Sequence, residues 1–108
     1  MAAANDKREL SGTFENDGAT IGAASSVTFN MGTGTDTATN RYLNLPEGVS
    51  YGIEVIPTVA CSITKINGRI LKVAMSVGTG GYRNTTGRFT SITIQAGSAT
   101  DVEIGGKA

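Results

Sequence analysis

Short runs in which apolar and polar residues alternate recur along the chain, and each predicts a half-buried β-strand. In residues 27–31, for example, Val27, Phe29 and Met31 alternate with polar residues. No segment has helical periodicity of useful length. The predicted strands cover residues 10–15, 27–31, 42–45, 51–56, 89–95 and 100–104, together with the two strands of a central hairpin over residues 59–75, whereas the alternation in residues 19–24 is weak.

The central hairpin is predicted to close at Asn67-Gly68. Asn-Gly usually forms a two-residue turn, but here that turn would set polar residues opposite apolar ones. A three-residue loop with Gly68 as a bulge instead makes one face of the hairpin wholly apolar, and this register is the one the pattern favours. Its facing pairs are Val59 with Met75, Cys61 with Val73, and Ile63 with Leu71.

Seven or eight short strands predict an all-β fold, an antiparallel β-sandwich of jelly-roll or immunoglobulin-like outline. The 108 residues suit one domain. Residues 10–108 are assigned to the sandwich, and the short charged stretch of residues 1–9 to a flexible N-terminal arm. The last two strands are expected to pair as a hairpin through a turn near Gly97-Ser98.

The composition narrows the classes of partner. Lys and Arg number 9, as do Asp and Glu, so the net charge is +0, and no block of like charges is present; nucleic acid is therefore not an expected partner. No apolar run approaches the ~20 residues of a membrane span, so a membrane is not expected either. The N-terminus lacks an apolar signal segment, which predicts synthesis in a cytoplasm without secretion. The single cysteine, Cys61, is expected to be a buried core side chain.

The chain shows no catalytic constellation, and we predict that it is not an enzyme. It has no His, which is the commonest general base and metal ligand. The carboxylates Glu54, Asp101 and Glu103 are predicted on solvent faces, where nothing would tune them for catalysis. Asp17 and Asp36 lack the regular ligand spacing of a calcium site. We therefore predict no catalytic, cofactor-binding or metal-binding residue.

Candidate interface residues come from two stretches. Leu10 and Phe14 would be apolar anchors of the N-terminal arm. Tyr82, Arg83 and Arg88 belong to a glycine-rich stretch, where an aromatic residue beside arginines has the composition of an interface anchor. A tyrosine packed over the sheet edge, with solvated arginines, fits that stretch equally well.

Three stretches carry a resemblance to a known group of proteins. They read Arg-Tyr-Leu-Asn-Leu-Pro-Glu-Gly-Val from residue 41, Ser-Ile-Thr-Lys-Ile-Asn-Gly from residue 62, and Phe-Thr-Ser-Ile-Thr-Ile-Gln-Ala-Gly-Ser-Ala-Thr-Asp-Val-Glu-Ile from residue 89. They resemble the small β-sandwich structural proteins of tailed-bacteriophage virions. Those proteins include capsid decoration, or cement, proteins and small neck or baseplate components.

The resemblance implies a non-enzymatic virion protein that binds and stabilises an assembled phage particle, in the first place as a capsid decoration protein. Its implied partners are the major capsid protein or neck and tail components. It also implies a homo-oligomer, since such proteins often assemble and trimers are common among them, and it implies no cofactor. The alternative is a carbohydrate- or receptor-binding module that uses Tyr42, Tyr51 and Tyr82 as its aromatic platform.

Overall fold

A computed structural model describes the backbone of residues 15–107 and the side chains of residues 18–107. The described residues form nine strands and no helix, which confirms the all-β class. The strands are β1 (Glu15–Ile21), β2 (Ser26–Asn30), β3 (Asn40–Tyr42), β4 (Ile53–Pro57), β5 (Cys61–Ile66), β6 (Arg69–Val77), β7 (Tyr82–Asn84), β8 (Ser91–Ala96) and β9 (Thr100–Gly106).

The strands form a four-stranded sheet of order β1-β9-β4-β7 and a five-stranded sheet of order β3-β2-β8-β5-β6. This arrangement is compatible with the predicted β-sandwich. It differs from the prediction in the parallel pairing of β2 with β3 and in the number of strands. Both β3 and β7 have only three residues, too few for an alternating pattern to reveal them.

Side chains from both sheets meet in one apolar core. The predicted inward positions of β2, β4, β8 and β9 are confirmed, and Cys61 is buried as expected. Tyr51, predicted as the first residue of a strand, and Val59, predicted on the apolar face of the hairpin, are 45% and 41% exposed because each lies just outside a strand. The buried apolar residues are Ile21, Val27, Phe29, Met31, Leu43, Leu45, Ile53, Val55, Cys61, Ile63, Val77, Phe89, Ile92, Ile94, Ala96, Val102 and Ile104.

The first strand differs from its predicted position. The strand predicted over residues 10–15 ends before Asn16, Asp17 and Gly18, which are typical turn residues, whereas the structure places these three residues inside β1, in continuous register with β9. Pairing with a neighbouring strand holds them extended, so their turn preference is overridden. The predicted arm at residues 1–9 and the strand residues 10–14 lie outside the described residues.

The predicted hairpin between the last two strands is wrong. β8 belongs to the five-stranded sheet and β9 to the four-stranded sheet, so the chain crosses between sheets after Ala96. Both edges of β8 are taken by β2 and β5, and both edges of β9 by β1 and β4, which leaves neither strand an edge for the other. Their apolar residues, Ile94 and Val102 among them, nevertheless share the core.

The predicted three-residue loop of the central hairpin is also wrong. Asn67 and Gly68 have φ values of 55° and 77°, and Ile66 pairs directly with Arg69. Positive φ at both central residues is the geometry of the tight turn for which Asn-Gly is the preferred sequence. The local turn preference therefore prevails over the facing pairs that the hydrophobic pattern favoured.

A large bulge in β6 restores the apolar face that this turn would otherwise disrupt. Between the pairs Lys65–Ile70 and Ile63–Met75, β5 has one residue and β6 has four. After the bulge, Val77 rather than Val73 lies opposite Cys61, and Val77 is buried. Val73 falls within the bulge and is 80% exposed, which reverses its predicted inward position.

The side chain of Asn67 ties the hairpin turn to the segment before β8. Its Oδ1 accepts hydrogen bonds from the Thr90 backbone N–H at 2.7 Å and the Thr90 Oγ1 at 3.2 Å, and its Nδ2 donates to the Arg88 carbonyl at 3.0 Å. The Asn67 backbone N–H donates to the Ser91 carbonyl at 2.8 Å. Asn67 thus combines a left-handed backbone with a fixed side chain.

Two substitutions at Asn67 separate these contributions. We expect Asn67→Gly, which keeps the positive φ and removes the side-chain hydrogen bonds, to lower the free energy of unfolding by about 1–3 kcal/mol. Asn67→Ala should cost about 1 kcal/mol more, because alanine also resists the left-handed conformation. Urea unfolding measures both values. An Asn67→Gly variant as stable as the parent protein would contradict the anchoring role.

Candidate functional site

The outer margin of β6 is the longest open strand edge among the described residues. β6 has nine residues and ends the five-stranded sheet, so it pairs on one side with β5, outside its bulge, and on the other with no described strand. An open strand edge presents unpaired backbone N–H and C=O groups to other chains. The strand at the opposite end of the same sheet is β3, which has only three residues and therefore a shorter edge.

Two apolar side chains on β6 are turned outward. Ile70 is 77% exposed and Val73 is 80% exposed, more than the other large apolar residues described. Ile70 shares a face with Lys65, its pairing partner on β5, and Val73 lies in the bulge. Leu71 and Met75 of the same strand pack against the core, so β6 is both anchored and exposed.

Positive charge surrounds these apolar side chains. Lys65, Arg69, Lys72 and Arg88 are exposed, and none forms an ion pair with a described residue. Arg69 follows the turn, and the Arg88 carbonyl accepts the Asn67 side-chain hydrogen bond, so both arginines lie beside the hairpin tip. We call this surface the β6 edge; its side chains are those of Lys65, Arg69, Ile70, Lys72, Val73 and Arg88.

The positive charge of the β6 edge corresponds to an interval of the sequence that contains cations and no acidic residue. No Asp or Glu occurs between Glu54 and Asp101, whereas that interval contains five cations. Because the cations are spaced along the interval rather than grouped, they form no block of like charges. The net charge of the whole chain, which is +0, does not show that this interval is positively charged. The cations are Lys65, Arg69, Lys72, Arg83 and Arg88.

The structure separates the interface residues that were predicted from the sequence. Leu10 and Phe14 lie outside the described residues. Tyr82 is half-buried and packs against the core, and its hydroxyl accepts a hydrogen bond from Asn84 Nδ2 at 3.3 Å. Arg83 lies on β7, whereas Arg88 lies beside the β5–β6 turn. Of the loop residues, only Arg88 belongs to the β6 edge.

Glu54 was predicted on a solvent face, but its side chain is only 14% exposed. Arg83, its pairing partner across β4 and β7, covers it, with the arginine Nη2 at 2.8 Å and Nε at 2.9 Å from Glu54 Oε2. These short contacts between a guanidinium and a carboxylate oxygen join the two side chains. Glu54 and Arg83 therefore act as a cross-strand pair at the edge of the four-stranded sheet.

Asp36 is used within its own loop. Its Oδ1 accepts the Tyr42 backbone N–H at 2.8 Å, and its Oδ2 lies 3.2 Å from Arg41 Nε. Arg41 Nη2 also donates to the Gly18 carbonyl at 3.3 Å, so the guanidinium links β3 to β1. Within the described part of the chain, no three His, Cys, Asp or Glu side chains are grouped so as to hold a metal ion.

The Cys61 thiol is also unsuited to act as a nucleophile. Cys61 is buried and has no disulfide partner. Burial away from water raises the pKa of the Cys61 thiol above its ordinary value, because the thiolate would lose its hydration. The thiol is therefore protonated at neutral pH, and a protonated, enclosed thiol is a poor nucleophile.

An open groove of about 520 Å³ lies on the four-stranded sheet. Strands β1, β4 and β9 line it, with Arg41 at one side. Its polar residues are bonded to one another: Thr20 Oγ1 donates to Asp101 Oδ1 at 2.8 Å, and the Asp101 backbone N–H donates to Thr58 Oγ1 at 3.0 Å. Thr20, Thr58 and Asp101 are therefore already engaged with one another in the groove.

Comparison with protein-family models, with curated proteins and with solved structures finds no match for this chain. The described residues contain no helix long and apolar enough to cross a membrane.

The exposure of the β6 edge can be tested through stability. We expect the double variant Ile70→Thr/Val73→Thr to unfold with a free energy within about 0.5 kcal/mol of the parent, because exposed side chains contribute little and threonine retains strand propensity. Ile63→Ala on the neighbouring strand should cost about 2–5 kcal/mol, because Ile63 is fully buried. Urea unfolding gives both values. A loss in the double variant as large as that of Ile63→Ala would show that these side chains are buried.

Proposed function

We propose that this chain is a non-enzymatic structural protein of a tailed-bacteriophage virion, specifically a capsid decoration protein of jelly-roll or immunoglobulin-like sandwich type. The observation that carries the proposal is the β6 edge, an open strand flanked by exposed apolar side chains. Open edges and exposed apolar patches are typical of surfaces that associate with other proteins. The resemblance of residues 41–104 to small virion proteins is the reason for proposing a phage particle as the assembly that is bound.

Binding would proceed by strand addition. An extended segment of the assembled particle pairs with the outer backbone of β6 and covers Ile70 and Val73. Each new backbone hydrogen bond contributes about 0.5–1.5 kcal/mol, and full burial of an Ile or Val side chain contributes about 1.5–3 kcal/mol. After the entropic cost of association, one such contact is modest. A particle that offers many identical sites to an oligomeric decoration protein would strengthen it through multivalency.

The remaining parts of the proposal follow from the same assembly. The partners are the major capsid protein or neck and tail components, and the protein resides in the virion. A homo-oligomer, as is common among decoration proteins, would place several β6 edges on one particle. Leu10 and Phe14, as apolar anchors of the N-terminal arm, would add further apolar contacts.

A carbohydrate-binding module is less well supported. Such sites stack a sugar on an exposed aromatic face. Tyr42 and Tyr82 are half-buried, and the Tyr42 ring covers Gly34 so closely that a Cβ there would lie 2.5 Å from Cε2. Only Tyr51 is exposed among the three tyrosines, and one ring is a poor platform.

The proposal predicts the outcome of co-sedimentation with tailed-phage particles stripped of their minor proteins. The parent protein should bind saturably, and Ile70→Thr/Val73→Thr should bind about tenfold more weakly, because two apolar contacts are lost. The matched control is Ile56→Thr/Val59→Thr, which removes one exposed Ile and one exposed Val away from β6. That control should bind like the parent. Absence of parent binding would overturn the function, and equal binding by all three proteins would overturn the role of β6.

A further inference from the structure

We propose that the segment which adds to β6 is acidic: an extended stretch of a partner protein whose carboxylates face Lys65, Arg69 and Lys72 and whose apolar side chains cover Ile70 and Val73. This inference rests on the proposed function and names the chemistry of its partner. It requires a strand in which acidic and apolar residues are interspersed, since the β6 edge presents both kinds of group.

Charge complementarity carries the inference. Elsewhere on the described surface, arginines are matched by acids: Arg41 by Asp36 and Arg83 by Glu54. At the β6 edge four exposed cations have no acidic partner among the described residues. Interfaces place opposite charges together, which speeds encounter and selects the partner. A partner that carries acidic residues would supply the charges that this chain lacks there.

The same charges disfavour a second copy of this chain as the occupant. Pairing of β6 with β6 from another copy would bring two sets of Lys65, Arg69 and Lys72 to one interface. Like charges set close together across paired strands are destabilising. The two strands of the hairpin contain no acidic residue that could compensate.

A nucleic acid fits this surface less well than a protein strand. Single-stranded nucleic acids bind where aromatic rings stack on bases, and β5 and β6 contain no aromatic residue. Ile70 and Val73, the most exposed large apolar side chains described, would lie against a charged phosphate chain. An incoming peptide strand satisfies both the open backbone and the apolar side chains.

Protection of the edge against aggregation explains only part of its features. Lysines and bulges are common devices that keep strand edges from pairing with other chains, and Lys72 within the bulge matches that use. Neither the lysine nor the bulge accounts for the exposure of Ile70 and Val73. A strand edge protected against aggregation would carry polar side chains at these two positions. Exposed apolar groups surrounded by polar ones instead mark an interaction site.

The test uses the full chain and a synthetic probe. The probe is a capped peptide of about seven residues in which Glu and Val alternate, and the control peptide has Lys in place of each Glu. Amide NMR shifts of the labelled protein are followed at peptide concentrations up to about 1 mM. We expect saturable shifts confined to residues 65–77 with the Glu peptide and none with the Lys peptide. No shifts, shifts elsewhere, or equal response to both peptides would overturn the proposal.

A pair of variants with equal net charge sharpens the result. Arg69→Gln/Lys72→Gln removes two cations from the β6 edge, whereas Thr33→Glu/Thr35→Glu makes the same change in net charge in the exposed loop before β3. The first should weaken peptide binding by about tenfold, and the second should leave it nearly unchanged. Concentration-dependent dimerisation of the parent protein that Ile70→Thr/Val73→Thr abolishes would identify a second copy as the occupant and overturn the proposal.

The same variants distinguish this inference from the proposed function. If Arg69→Gln/Lys72→Gln binds stripped particles as tightly as the parent does, the protein is a particle-binding protein and the acidic partner is wrong. If the parent does not bind particles while the Glu peptide still binds β6, the virion function fails and the edge chemistry stands.

Discussion

The turn at Asn67-Gly68 and the core beneath the hairpin impose two registers that one regular strand cannot satisfy. With Ile66 opposite Arg69, an uninterrupted hairpin would set Lys72 opposite Ile63, which lies fully inside the core. Burial of a lysine there without a partner would be costly. The bulge in β6 removes this conflict, because it moves Lys72 out of the ladder and brings Met75 opposite Ile63.

The exposed surface of β6 is thus a consequence of how the hairpin folds. The bulge that protects the core also places Val73 outside, and the tight turn holds Ile70 on the same face as Lys65. Asn67 ties the turn to the segment before β8 through its side-chain hydrogen bonds. A preorganised edge loses little conformational entropy when a partner strand adds to it. Stability and the proposed binding therefore depend on the same few residues.

Alternating patterns predicted the class of fold and most of the core, because burial on one face of a strand leaves a direct trace in sequence. Val27 and Phe29, for instance, are buried as predicted. Strand partners leave no such trace, so the crossing from β8 to β9 and the three-residue strands were missed. The register of the hairpin failed for a different reason: the pattern favoured continuous facing pairs, and a bulge of four residues against one has no sequence signature.

The candidate site was only partly predictable. Arg88 was identified from its surroundings in the sequence, but Lys65, Arg69 and Lys72 were not, although the acid-free interval between Glu54 and Asp101 was visible. Glu54 was wrongly predicted to be exposed, because Arg83 covers its side chain. Arg83 lies on β7, a strand that the hydrophobic pattern did not reveal. Charges could be counted from the sequence, but which of them meet an opposite charge depends on strand order.

Amide hydrogen exchange of the chain bound to stripped phage particles tests the central claim, that β6 is where the assembly binds. Strand addition engages backbone N–H groups that are open in the free protein, and new hydrogen bonds slow their exchange. The account predicts that binding slows exchange within residues 69–77 and leaves β1 and β7, at the edges of the other sheet, unchanged. Protection at β1 or β7 with none in residues 69–77 would contradict it.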